Sequence, residues 1–172
     1  MTKAERGLAG LDASRRRFLS ELARFDETRA EQSPPGGGWS PSQVGEHVAR
    51  VEAAVTRGYH AAIAGKVHAA FGPGDVPGRL VWQLQLYRFV RIEAPAAHCP
   101  EKSAILAETI SLLGRNRESL LAVVQAAPLE RLRLRHPVFG PLNGVEWLSF
   151  LSMHEERHRL QLVRIQRAFD RS

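Results

Sequence analysis

With a single cysteine, Cys99, in its 172 residues, the chain cannot close an internal disulfide. It also lacks long apolar runs. No stretch approaches the roughly 20 consecutive apolar residues of a membrane span. The opening Met1-Thr2-Lys3-Ala4-Glu5-Arg6-Gly7 mixes charge with small residues and does not read as a secretory leader. These absences lead to the expectation of a soluble, cytoplasmic protein with no membrane partner. Lysine is scarce as well. Only Lys3, Lys66 and Lys102 are found among 24 basic residues, so 24 − 3 = 21 are arginines. Neither the period-two alternation of a half-buried strand nor an internal repeat is evident.

What is present suits one domain spanning residues 1–172. The chain is 44% hydrophobic and 24% charged, the balance of a globular protein able to bury a core. Its net charge of +6 comes with arginines spread over every expected helix. A nucleic-acid binder would gather that charge on one face, so no specific nucleic-acid partner is expected.

Hydrophobic periodicity predicts a first helix over residues 4–30, with Leu8, Leu11, Phe18, Leu19, Leu22 and Phe25 on one stripe. Ser33-Pro34-Pro35-Gly36-Gly37-Gly38 stops it. The second helix has a clear start. Ser40 can cap, Pro41 suits the first helical position, and Gln43 can close a capping box. Its stripe, running to about residue 65, reads Val44, His47, Val48, Val51, Val55. A Gly/Pro-rich loop follows over 66–78. A short amphipathic helix is expected over 79–91, with Leu80, Leu84, Tyr87 and Trp82 available to turn inward. The third main helix is placed over 101–126, on Ile105, Thr109, Leu112, Leu113, Leu120 and Val124. A rigid connector, His136 to Pro141, leads to a last helix capped by Asn143 with Glu146 as box partner. That helix carries Trp147, Phe150, Leu151, His154, His158, Leu162 and Ile165 inward to about residue 168. The expected fold is therefore all-α: a four-helix bundle with an additional short helix between the second and third main helices.

Three of the seven histidines lie on apolar stripes. His154 and His158 are four apart, so both project from one helix face a turn apart. His47 sits between Val44 and Val51 on another helix. A buried imidazole needs a hydrogen-bond partner or a metal. Three neutral nitrogens suit a divalent ion, with zinc first and nickel, cobalt or iron(II) also compatible. Taken singly, His47 reads as a satisfied core residue and the pair as a common surface spacing; the combination favours a site.

The segment His154-Glu155-Glu156-Arg157-His158 also fits the zinc-protease pattern H-E-x-x-H. Such proteases take a third ligand downstream, and the only candidate there is Asp170. A dinuclear carboxylate bundle would need two Glu-x-x-His motifs, and Glu155 with His158 makes only one. Both readings are set aside.

The chain resembles the DinB/YfiT-like family of metal-binding four-helix bundles. The likeness rests on Trp39-Ser40-Pro41-Ser42-Gln43-Val44-Gly45-Glu46-His47, and on Phe139-Gly140-Pro141-Leu142-Asn143-Gly144-Val145-Glu146-Trp147 leading to His154 and His158. It covers residues 10 to 168. The resemblance implies a metal held by His47, His154 and His158, a homodimer, and chemistry of the metal-dependent hydrolase or low-molecular-weight-thiol transferase kind. A small-molecule substrate or a thiol cofactor would then be the partner. The alternative is a non-catalytic metal- or ligand-binding module, a stress-related dimer. No general base is evident. Glu155, about 100° round the helix from His154, reads as a solvated or interface carboxylate, with support of a ligand as the other option, and Glu46 beside His47 is equally open. His136 is expected to pack or cap locally, Cys99 to be an ordinary loop thiol, and Trp82 and Tyr87 to line a pocket or the core. His60, His68 and His98 are assigned nothing.

Overall fold

A computed structural model describes residues 1–70, 96–101, 103–137 and 139–171. Its main helices are α1 (Lys3–Leu22), α3 (Pro41–Ile63), α4 (Leu106–Ala126) and α5 (Gly144–Phe169), with a five-residue helix α2 (Glu27–Glu31) after the first. The bundle expected from the sequence is thus present. The short helix expected over 79–91, with Trp82 and Tyr87, lies outside the described residues. Among the described residues no helix is long and apolar enough to cross a membrane.

The local chemistry explains the boundaries. Ser40 and Gln43 exchange side-chain-to-backbone bonds of 3.2 and 2.9 Å at the start of α3. Asn143 and Glu146 do the same at the start of α5, at 2.7 and 2.9 Å. Each box satisfies two donors that the first helical turn leaves without partners. The expected first helix is shorter than 4–30 and is interrupted. Asp26 leaves the helix for an extended conformation and caps α2 by accepting from Arg29 N at 2.8 Å. An aspartate competes well for that role, and periodicity alone does not register it. Gly36, Gly37 and Gly38 then all take positive φ, which a Cβ would oppose.

A small two-stranded antiparallel hairpin accompanies the helical bundle, where the sequence showed no strand pattern. Strand β1 (Arg133–His136) pairs with β2 (Gly140–Asn143), with Leu134 opposite Leu142 and His136 opposite Gly140. His136 and Pro141, the ends of the expected connector, lie in these two strands, and Gly140 takes φ 71°. The hairpin aims α5. Its last residue is the α5 cap, Asn143. Trp147 Nε1 donates to Leu134 O at 3.1 Å, and Tyr59 on α3 donates to Gly144 O at 2.6 Å.

Helix α1 lies along α5 and α3 along α4, while α3 also meets α5. The core has two apolar clusters. One, at the hairpin end, gathers Leu11, Tyr59, Leu120, Leu142, Trp147 and Leu151. The other gathers Phe18, Leu22, Val44, Val48, Leu113 and Leu162. Between them, each main helix places a buried or half-buried charged residue: Arg15, Glu52, Arg117 and Glu155.

Candidate metal centre

The three histidines singled out by the sequence converge. His154 and His158 stand one turn apart on α5, and α3 brings His47 to them. The ligand atoms of all three lie within 4.8 Å of one another, and all three residues are buried. Nε2 of His154 is 3.2 Å from Nε2 of His47 and 3.2 Å from Nε2 of His158. The other ring nitrogens explain this arrangement. Nδ1 of His47 is 2.7 Å from the carbonyl oxygen of His98, and Nδ1 of His158 is 2.8 Å from Oε1 of Gln161. Those oxygens can only accept, so each Nδ1 carries the proton and each facing Nε2 presents a lone pair. Trp39 leans on the His47 ring at 4.9 Å between centroids, and Phe150 lies 5.7 Å from that of His154.

Electrostatics keep the rings neutral. Burial is the largest influence on each, and it disfavours the charged form. It pushes His158 down to about 3, with His47 adding to the effect. His154 lies well below the ordinary histidine value, from burial first and the neighbouring rings next. His47 is also lowered, with the His98 carbonyl pulling the other way. Arg157 disfavours protonation of all three, and Arg164 that of His158.

This donor set fits a divalent ion. Tetrahedral coordination with metal–nitrogen bonds of about 2.0–2.1 Å needs ligand nitrogens about 3.3 Å apart, close to the two spacings of 3.2 Å. Neutral imidazoles, oriented by acceptors on their far sides as His47 and His158 are here, are the usual form of histidine ligand.

Glu155 is placed differently from the expectation of a solvated or interface carboxylate. It is 2% exposed. One oxygen accepts from Arg15 Nε at 2.9 Å and Arg117 Nη2 at 2.6 Å, and the other accepts from the Ser14 hydroxyl. Both of its oxygens are thus engaged by side chains of α1 and α4, which argues against the free general base that a zinc-protease reading requires. Asp170 sits exposed at the end of α5, beside Arg29 and Gln166, and does not join the cluster. Glu46 is also buried, paired with Arg50.

His136 packs locally as expected. Its Nδ1 accepts from Phe139 N at 3.2 Å, and its ring lies 4.4 Å from that of Phe150. His60 and His68 are exposed, and Cys99 is half-buried in its loop. His98 contributes a backbone carbonyl, a role that side-chain pattern does not reveal. Gln161 was also missed, although its position three residues after His158 was a usable signal.

Two solved structures share the architecture. The chain is 27% identical to TT2238, described as a four-helix bundle protein, over 94% of this chain and 98% of that one, with a TM-score of 0.61. It also superposes on YfiT from Bacillus subtilis, described as a probable metal-dependent hydrolase with an unusual four-helix bundle topology. There the TM-score is 0.66 at 14% identity, over 99% of this chain and 90% of that one, a likeness of fold. No curated protein matches the sequence. The DinB superfamily pattern matches residues 10–162, a span that holds all three histidines, and the chain belongs to that superfamily.

Proposed function

We propose that the chain is a metal-dependent enzyme, a hydrolase or a transferase of low-molecular-weight thiols, with His47, His154 and His158 holding one divalent ion. The observation that carries this reading is the pair of 3.2 Å spacings from His154 Nε2 to the lone-pair-bearing Nε2 atoms of His47 and His158 in a buried setting. When bound, a divalent ion supplies Lewis acidity, which lowers the pKa of a coordinated water or thiol and makes it a nucleophile near neutral pH. The chain's own residues do the rest. Three uncharged ligands leave the ion's positive charge uncompensated. Arg157 and Arg164 add positive potential. An anion is therefore the favoured partner at the open position. Trp39 and Phe150 wall the rings with apolar surface, which strengthens that electrostatic preference.

The description of YfiT as a probable metal-dependent hydrolase agrees with this reading. Zinc is the first candidate ion, with nickel, cobalt and iron(II) as alternatives. A homodimer belongs to the same proposal, and sedimentation of the purified protein tests it.

Protein purified without a histidine tag should carry, or take up, about one equivalent of metal. His154→Ala should fall to background while its helical circular dichroism persists. Background metal in the wild-type protein after reconstitution would refute the reading. Metal-loaded protein should turn over at least one class among small esters, amides and thiol conjugates. Inactivity across all of them would favour the non-catalytic binding module.

A further inference from the structure

The segment Ala96 to Glu101 lies against one stripe of α3. A 3-10 turn, Ala96–His98, is closed by Cys99 N donating to Ala96 O at 3.2 Å. From there the chain is held by residues 43, 46, 47 and 50, spaced i, i+3, i+4 and i+7 on α3. His47 Nδ1 donates to His98 O at 2.7 Å. Glu101 N donates to Glu46 Oε2 at 3.0 Å. Gln43 Nε2 donates to Glu101 O at 2.7 Å, and Arg50 Nη2 to Glu101 Oε1 at 2.9 Å. Arg50 Nε in turn holds Glu46 Oε1 at 2.7 Å.

We propose that Glu46 is a positioning residue for His47, acting through this segment: by anchoring the Glu101 amide it fixes the His98 carbonyl that orients the His47 imidazole. The inference rests on the metal-centre reading above and deepens it. An imidazole carries its proton on either nitrogen, and the partner of one nitrogen decides what the other can do. His47 can ligate through Nε2 only while Nδ1 keeps the proton, and the His98 carbonyl enforces that form. Among the described residues, the short turn and the attachment of Glu101 to Gln43, Glu46 and Arg50 three residues later hold that carbonyl. Of these bonds the one from the Glu101 amide goes to a buried carboxylate, a charge-assisted bond stronger than a neutral one. Glu46 touches neither His47's ring nitrogens nor the neighbouring ligands through any of these bonds, so its influence is exerted by way of the segment.

Two pairs of variants separate positioning from general stability. Glu46→Ala removes the anchor, whereas Glu46→Gln keeps an oxygen for the Glu101 amide. Glu101→Pro removes the amide hydrogen from an exposed residue without altering α3, whereas Glu101→Ala keeps it and loses only the side chain. The first readout is the tautomer of His47 in metal-free protein, from imidazole 15N shifts. The second is Co(II) affinity and the Co(II) ligand-field spectrum. Wild-type protein should show a single Nδ1–H form. Glu46→Ala and Glu101→Pro should show mixed tautomers, bind Co(II) about 10–100-fold more weakly and alter its spectrum. Glu46→Gln and Glu101→Ala should stay close to wild type in tautomer.

A Glu101→Pro protein with the tautomer and affinity of Glu101→Ala overturns the proposal, even if Glu46→Ala proves too unstable to measure. Wild-type protein that binds no Co(II) overturns the metal reading instead, and the tautomer comparison still decides the role of Glu46.

Discussion

His136 shows how burial sets the acid response of this chain. The residue is 6% exposed at the end of β1, among Phe139, Trp147 and Phe150, and burial lowers its imidazole to about 4. An unfolded histidine titrates near 6.5. Between those values the unfolded chain takes up a proton that the folded chain refuses. Stability is therefore level above about pH 6.5 and falls as pH drops towards 4, by about 3 kcal/mol from this residue alone. His158, lowered to about 3, contributes with the same sign. Urea unfolding of metal-free protein from about pH 7.5 to about pH 4.5 should show the decline. His136→Phe should lose about 1–3 kcal/mol near neutrality, because the Phe139 amide loses its acceptor, but its stability should fall less steeply with acid. Identical slopes in the two proteins would assign the decline to other groups. At this scale the sequence was informative where a polar residue broke an apolar stripe, as His47 does between Val44 and Val51. It was uninformative where the partner is a backbone atom, as with the His98 carbonyl, because no side-chain pattern encodes a carbonyl's direction.

The elements were legible in proportion to their local signals. Helices α3 and α5 start where Ser40/Gln43 and Asn143/Glu146 place them, since capping boxes involve only near neighbours. The hairpin was not legible. Its strands are four residues each, and β2 contains Pro141, so propensity argues against it. What supports it is tertiary: Leu134 and Leu142 are buried and Trp147 bonds to the Leu134 carbonyl. The contact between α3 and α4 is also tertiary and yields a test. A Cβ on Gly45 would come within 2.6 Å of Thr109 Cγ2. Helix propensity alone favours alanine over glycine by about 1 kcal/mol. The steric conflict should outweigh that, so Gly45→Ala is expected to destabilise by about 1–3 kcal/mol. Adding Thr109→Ser removes the opposing methyl and should recover most of the loss in a denaturant-based double-mutant cycle. Additive effects would show that the two helices do not meet through this pair.

Across the whole molecule, Arg15, Glu52, Arg117 and Glu155 form one layer that joins all four main helices between the two apolar clusters. Arg15 donates to Glu155 and Glu52, and Arg117 donates to Glu52 Oε1 at 2.5 Å and to Glu155 Oε1 at 2.6 Å. Each arginine also reaches a helix carbonyl: Arg15 that of Leu113 at 2.8 Å, and Arg117 that of Leu11 at 3.2 Å. The sequence did contain a signal, since Arg15, Glu52 and Arg117 each sit four after and three before a core residue on their own helix. Charge scattered over all helices nevertheless reads as solvated surface until the helices are assembled. Burial works against the Arg15 charge, yet the two carboxylates together raise its pKa above the ordinary arginine value, so the layer is held by its own pairing. Removing one member leaves a buried charge uncompensated, and Arg117→Met should cost about 3–5 kcal/mol. Replacing all four with apolar residues of similar volume removes the desolvation penalty as well, and should leave stability near wild type or above it. The two outcomes differ in what they do to the metal centre. Glu155 adjoins His154 in the chain and Glu52 lies on the helix of His47, so the layer sets how α5 and α3 are aligned. The fully apolar variant is therefore expected to melt normally but bind Co(II) more weakly, because alternative helix registers become accessible. Wild-type Co(II) affinity in that variant would mean that apolar packing alone aligns the three histidines.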